Sequence, residues 1–123
     1  MATVLVVDDE LGLAEVLETL LTEEGYQVLT AVNGRQALVR LAETQPDVVL
    51  MDYMMPLLDG VGLLRAIRAD PALATLPVVV MSSLPETVIQ ERFSDHAAFL
   101  RKPFRIAEVL STLTRVLDRV QPT

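Results

Sequence analysis

Cysteine and tryptophan are absent from this sequence, histidine occurs once, and lysine occurs once, at Lys102. Without thiols there is no disulfide framework and no thiolate metal site. Aromatics are 4% of the chain, so any core must be built from aliphatic side chains. No apolar run approaches the ~18 residues that a membrane-crossing helix needs. The N-terminus lacks the charged, apolar and small-residue order of a secretory leader. A cytoplasmic location with no membrane partner is the expectation. There is no internal repeat or low-complexity tract, and neither G-x-G-x-x-G nor a P-loop occurs.

What is present is a chain of 123 residues, 51% hydrophobic, enough for one domain burying about two-thirds of its unfolded surface. The domain is expected over residues 1–120, with 121–123 as a tail. The net charge of −7 is unevenly spread. Residues 1–60 hold 11 acids and 2 bases, whereas residues 61–123 hold 6 acids and 8 bases. An acidic chain makes a poor nucleic-acid ligand, so no direct nucleic-acid partner is expected. Acids crowded into one half are either a solvated face or a cation site.

Apolar runs alternate with amphipathic stretches. TVLVV at 3–7 predicts a strand, and Leu13, Leu17, Leu20 and Leu21 then recur at helical spacing up to Gly25. A second strand is expected over 26–31, closed by Asn33-Gly34, with a helix marked by Ala37, Leu38, Leu41 and Ala42 ending before Pro46. DVVLM at 47–51 predicts a third strand. Val61, Leu64 and Ile67 mark a third helix, stopped by Asp70-Pro71. PVVVM at 77–81 predicts a fourth strand. Pro85 suits the first position of a helix carrying Ile89 and Phe93. AAFL at 97–100 is a weak fifth strand, and Ile106, Leu110, Leu113 and Leu117 mark a final helix. Strands without apolar/polar alternation belong to a parallel sheet covered on both faces. Five βα units therefore predict a doubly wound α/β sandwich, which places ligands beyond the carboxyl ends of its strands.

The residues following each predicted strand converge on that edge. Asp8, Asp9 and Glu10 follow the first, Asp52 the third, Ser82 and Ser83 the fourth, and Arg101, Lys102 and Pro103 the fifth. Each has an ordinary structural use. Asp8 or Asp9 would cap the first helix, Asp52 would make an Asx-turn, Ser82 would cap the fourth helix, and Lys102 would be a solvated charge. Together they describe something else. Crowded carboxylates repel one another unless a cation neutralises them, and a hard divalent ion such as Mg²⁺ resolves that cost. A carboxylate beside Mg²⁺ can act as nucleophile toward a phosphoryl group, whose oxygens then need a cation and a donor of the kind Lys102 and Ser82 supply. Nine of the ten basic residues are Arg. The single Lys therefore falls where a compact ammonium is wanted rather than a guanidinium fork.

VVDDE at 6–10, LMDYMMPLLDG at 50–60, VVVMSS at 78–83 and LRKPF at 100–104 resemble, in order and spacing, a response-regulator receiver domain of two-component signalling. The resemblance covers essentially the whole chain. It implies a flavodoxin-like (βα)5 fold with strand order 2-1-3-4-5. It also implies an aspartyl phosphate at Asp52, accepted from a histidine kinase or phosphotransfer protein. Mg²⁺ would be held by Asp9, Asp52 and the Met54 carbonyl, with Asp8 acting mainly through a metal-bound water. Ser82 and Lys102 would engage the phosphoryl group, and Phe99 would follow Ser82 as the switch aromatic. The Lys102–Pro103 bond would be cis. Such a protein is a phosphoacceptor that assists its own phosphorylation and dephosphorylation rather than an enzyme with a separate substrate. It alters its helix 4–strand 5–helix 5 surface to control an effector protein or output domain. Two departures bear on helix 4: the stretch from Ser82 to Lys102 is short, and Phe93-Ser94-Asp95-His96-Ala97 replaces the usual Ala-Gly before strand 5.

His96 reads as structural, and Met54 and Met55 as loop support and packing, with Met54 flanking the phosphoryl site. Val109, Val116 and Val120 lie beyond the final helix's stripe. They are either extra packing or a surface for a partner or a homodimer. Two other functions compete. A receiver-like module that only docks partners has no need of Asp8, Asp9, Asp52, Ser82 and Lys102 together. A haloacid-dehalogenase-type phosphatase needs Asp-x-Asp after its first strand and a cap insertion, and neither is here.

Overall fold

The computed structural model describes residues 2–55, 58–91 and 96–120, with the backbone alone for Arg119 and Val120. Five strands, β1 (Thr3–Val7), β2 (Gln27–Ala31), β3 (Val48–Asp52), β4 (Val78–Ser82) and β5 (Ala98–Arg101), alternate with five helices. These are α1 (Leu11–Glu23), α2 (Gly34–Glu43), α3 (Gly60–Ala69), α4 (Glu86–Gln90) and α5 (Ile106–Val120). All four strand pairings are parallel, in the order β2-β1-β3-β4-β5. This is the doubly wound sandwich expected from the residue pattern.

Continuous apolar strands feed two cores because successive side chains point to opposite faces. Leu5, Val7, Val49, Met51, Val78 and Val80 join one cluster with Ala37, Val61, Leu64, Ile67 and Ile89. Val4, Val6, Val48, Leu50, Val79 and Met81 join the other with Leu17, Leu21, Val109 and Leu113. So α2, α3 and α4 cover one face, and α1 and α5 the other.

Helix ends follow local chemistry. Gly25 has φ 97° just past α1, a conformation that costs a glycine little. Asn33 caps α2 by accepting from Gln36 N–H at 2.8 Å, and Asp59 caps α3 by accepting from Gly62 N–H at 2.9 Å. Asn33 thus starts a helix as well as closing a strand. Pro85 sits one position earlier than expected, at the N-cap of α4, which has five residues. Phe93 lies outside the described residues, as does the tail at 121–123. On α5 the buried stripe is Val109, Leu113 and Val116, with Ile106, Leu110 and Leu117 half-buried beside it. Val109 and Val116 are therefore core residues, and the side chain of Val120 lies outside the described residues.

Strands β3, β4 and β5 each end one residue later than the apolar pattern suggested, at Asp52, Ser82 and Arg101. That difference sets the register at the carboxyl edge. Val7 pairs with Met51, Asp52 with Met81, and Ser82 with Arg101. Asp8, Asp52, Ser82 and Lys102 are consequently brought side by side across four adjacent strands. Backbone bonds extend the ladder past its formal ends: Tyr53 N–H to Met81 O at 2.9 Å, and Lys102 N–H to Ser82 O at 2.8 Å.

Gly60 closes this edge from below. Its N–H donates to Tyr53 O at 3.0 Å, and a Cβ there would lie 2.9 Å from both Tyr53 Cα and Tyr53 O and 3.2 Å from Asp52 O. These are backbone atoms, which cannot rotate away. Gly60→Ala is expected to destabilise the fold by about 2 kcal/mol. Gly12→Ala, with nothing within 4 Å of its Cβ, should be neutral or slightly stabilising in α1. Urea unfolding of the two variants checks this; equal midpoints would remove the close-approach argument.

Candidate functional site

Asp8 leaves β1 fully buried. Its N–H donates to Ala31 O at 3.1 Å, and its Oδ1 accepts from Glu10 N–H at 2.9 Å. It does not cap α1: the N-cap is Glu10, whose side chain makes no capping bond. Asp52 ends β3 and is buried. Ser82 ends β4, and its Oγ accepts from Leu84 N–H at 2.9 Å, shaping the turn into α4 rather than capping that helix. Lys102 follows β5, and the Lys102–Pro103 peptide is cis.

Lys102 reaches back along the edge. Its Nζ lies 3.1 Å from Asp8 Oδ2, 3.4 Å from Glu10 Oε1 and 3.5 Å from Asp52 Oδ1. Lys102 is thus not a solvated charge, and its side chain is 16% exposed. Burial alone would lower the ammonium's pKa. The hydrogen bond to Asp8 and the charges of Asp52, Asp8 and Glu10 outweigh that and hold it above its ordinary value.

The carboxylates are less comfortable. Burial first, then the charge of Asp8, pushes Asp52 up to about 6, with Asp9 adding to the rise. Lys102 and a backbone hydrogen bond from Met54 pull the other way without cancelling it. Asp8, Glu10 and Asp52 each present an oxygen, all within 4.8 Å of one another. Asp9 is exposed and stands outside that group, although it lines the same cavity. A set of hard oxygen donors whose mutual repulsion one ammonium does not relieve fits a divalent cation such as Mg²⁺.

The site opens into a cavity of ≈620 Å³ whose lining includes Asp9, Glu10, Asp52, Ser82 and Lys102, together with Met54 and Phe104. Met54 is 63% exposed and also borders an adjoining cavity of ≈630 Å³ toward Leu84 and Val88. Phe99, on β5, faces away from the second core. It is half-buried and packs on the cluster containing Ile89, against which Leu84 also packs. His96 Nε2 is 3.0 Å from Glu86 Oε2, joining the segment before β5 to the first turn of α4. This fits a structural histidine. Met55 is buried.

The residues singled out from the sequence thus meet at one edge, with Phe99 behind it. In the sequence Glu10 is only one acid among three. The structure gives it a contact with Lys102 that spacing alone does not reveal, because Asp9 and Glu10 are equivalent in a linear pattern until the turn into α1 orients them.

A sequence model of the response regulator receiver domain family matches residues 4–114. The chain belongs to that family and is a receiver domain of two-component signalling. Among curated relatives, it is 36% identical to the "Probable transcriptional regulator ycf27" of Porphyra purpurea, with 94% of this chain and 47% of that protein aligned. It is 34% identical to the "DNA-binding response regulator MtrA" of Mycobacterium tuberculosis strain H37Rv, over 94% of this chain and 50% of that protein. The chain therefore spans about half the length of these relatives. Among solved structures it resembles the signal receiver domain of a signal transduction histidine kinase from Syntrophus aciditrophicus. That match has a TM-score of 0.90 at 34% identity, covering 100% of this chain and 95% of that one. It also resembles the response regulator TrrA of Thermotoga maritima, solved in complex with Mg²⁺-BeF. There the TM-score is 0.84 at 27% identity, covering 94% and 99%. No helix among the described residues is long and apolar enough to cross a membrane.

Proposed function

We propose that this domain is a phosphorylation-controlled switch whose acceptor is Asp52. The observation that carries the reading is the ammonium of Lys102 held between Asp8 and Asp52, 3.1 and 3.5 Å away, across register-matched strand ends. An Asp52 oxygen attacks the phosphorus of a phosphohistidine on a kinase or phosphotransfer protein. The P–N bond breaks and its electron pair leaves with the imidazole. Lys102 pairs with the phosphoryl oxygens, and Ser82 donates its hydroxyl to them. Asp9, Asp52 and the Met54 carbonyl would hold Mg²⁺, with Asp8 contributing mainly through water and the carboxylate of Glu10 close by. When bound, the ion would supply neutralisation of the carboxylate and phosphoryl charge.

The phosphoryl group brings nearly two negative charges to Asp52. Ser82 exchanges its turn contact with Leu84 N–H for that group. Phe99 then turns inward into the space that Ser82 vacates, and the α4–β5–α5 surface changes for an effector protein or output domain that favours one state. The domain turns over no separate substrate. Val109 and Val116 are buried, so a second copy of the domain would dock on α5 through its half-buried Leu110 and Leu117 rather than through those two valines.

Incubation with acetyl phosphate and Mg²⁺, followed by intact-mass measurement, tests the reading. One phosphoryl adduct is expected on the native protein and none on Asp52→Ala or without Mg²⁺. An adduct of equal yield on Asp52→Ala overturns the assignment.

A further inference from the structure

Glu10 occupies an unusual place for a helix N-cap. Its backbone is pinned on both sides, with N–H on Asp8 Oδ1 at 2.9 Å and C=O accepting from Ala14 N–H at 3.1 Å. Its side chain does no capping work. The carboxylate instead reaches Lys102 Nζ at 3.4 Å. Of the three carboxylates around that ammonium, Asp8 is fully buried and Asp52 nearly so, whereas the Glu10 side chain is 66% exposed. A fixed backbone carrying a free, charged arm suits a contact that is made and released.

We propose that Glu10 is a positioning residue that restrains Lys102: it competes with the phosphoryl group for the ammonium and so sets how readily the site takes up that anion. The inference rests on Asp52 being the acceptor. An ammonium has three N–H donors, and here they face three carboxylates. Once a divalent cation takes up the charge of Asp8 and Asp52, Glu10 is the remaining carboxylate that contacts Lys102 among the described residues. A phosphoryl group must then displace it. Glu10 also adds negative charge at the cavity wall, which favours a cation and opposes an anion. Its two effects are separable, because the field depends on charge and the restraint depends on reach.

Glu10→Gln removes the charge while keeping the length, and Glu10→Asp keeps the charge while shortening the arm by one methylene. Mg²⁺ affinity is read by titration calorimetry, and beryllofluoride affinity at saturating Mg²⁺ by fluorine NMR, with Asp52→Asn as the control that must bind no beryllofluoride. For Glu10→Gln, Mg²⁺ is expected to bind ~3–10-fold more weakly and beryllofluoride ~2–4-fold more tightly, from loss of one charge within ~5 Å of the site. For Glu10→Asp, Mg²⁺ affinity should stay within about two-fold of the native value while beryllofluoride still binds ~2-fold or more tightly, since the carboxylate no longer reaches Nζ. A Glu10→Asp protein matching the native one in beryllofluoride affinity overturns the restraint. Native protein that binds beryllofluoride no better than Asp52→Asn overturns the acceptor reading and this inference with it.

Discussion

Asp52→Asn is expected to abolish phosphoryl labelling and, in the same protein, to raise stability at neutral pH in the absence of metal. The two effects have one source. Asp52 is nearly buried beside Asp8 and is pushed from 3.8 to about 6. The folded protein therefore binds that proton more tightly than the unfolded chain does. By linkage, stability from this group is fully present below about pH 4, falls as pH rises, and is lost once pH passes about 6. An ionised Asp52 at pH 7.5 is thus a liability on the order of 2 kcal/mol, after discounting for water that reaches the carboxylate from the cavity. Asparagine keeps the shape and removes the charge. Its melting temperature should exceed the native one by roughly 5–10 °C at pH 7.5 in chelator, and by little at pH 4. Thermal denaturation at the two pH values decides the matter. A gain of the same size at both would mean that the charge of Asp52 is not its cause. Saturating Mg²⁺ should narrow the gap at pH 7.5, because a ligand of the native carboxylates stabilises only the protein that still has them.

Unrelieved charge at the proposed acceptor suits a phosphoryl switch, and the edge that creates it explains what is legible in the sequence. Strands buried on both faces announce themselves as apolar runs, so β1, β3 and β4 stand out as VLVV, VVLM and VVVM. Their ends do not. Asp52, Ser82 and Arg101 are polar, and hydropathy stops one residue early at each, yet each belongs to its strand because the ladder continues to bond them. Asp8, Asp52, Ser82 and Lys102 were visible because every parallel strand delivers its following residue to one edge. Neither the division of labour between Asp9 and Glu10 nor the stripe of α5 was visible in that way. The first depends on the turn at Asp8, whose side chain accepts the Glu10 N–H and sets the direction of both neighbours. The second depends on helix rotation. Ile106, Leu110, Leu113 and Leu117 are the larger side chains, but Val109, Leu113 and Val116 face the sheet. Hydrophobic size alone did not identify the buried face of a helix that is apolar over a wide arc.

Lys102→Arg is expected to leave the fold intact and to lower phosphoryl uptake and its structural consequence on the order of 10²-fold, the scale of losing one oriented charge-assisted donor. The native ammonium fits three oxygens at 3.1, 3.4 and 3.5 Å around one nitrogen. A guanidinium is planar, spreads its donors over a fork, and pairs best with one carboxylate edge-on. In this pocket it would settle on the buried Asp8, and its bulk would occupy the cavity where the phosphoryl oxygens belong. The positive charge is conserved, so the acidic edge stays partly neutralised and stability should change by less than about 1 kcal/mol. Lys102→Ala differs in kind: it leaves buried Asp8 without the ammonium and should cost stability as well as uptake, about 3 kcal/mol by the measure of a broken buried pair. Urea unfolding in chelator measures the stability of both variants. Acetyl phosphate labelling with Mg²⁺ measures uptake, and the chemical shifts of Phe99 with and without beryllofluoride measure the response of the output face. An arginine variant that labels and shifts like the native protein would show that charge alone serves at this position, and that its being the chain's single lysine has no chemical cause. Loss of labelling with a native-like melting profile is the outcome that ties the compact ammonium to the phosphoryl group rather than to the fold.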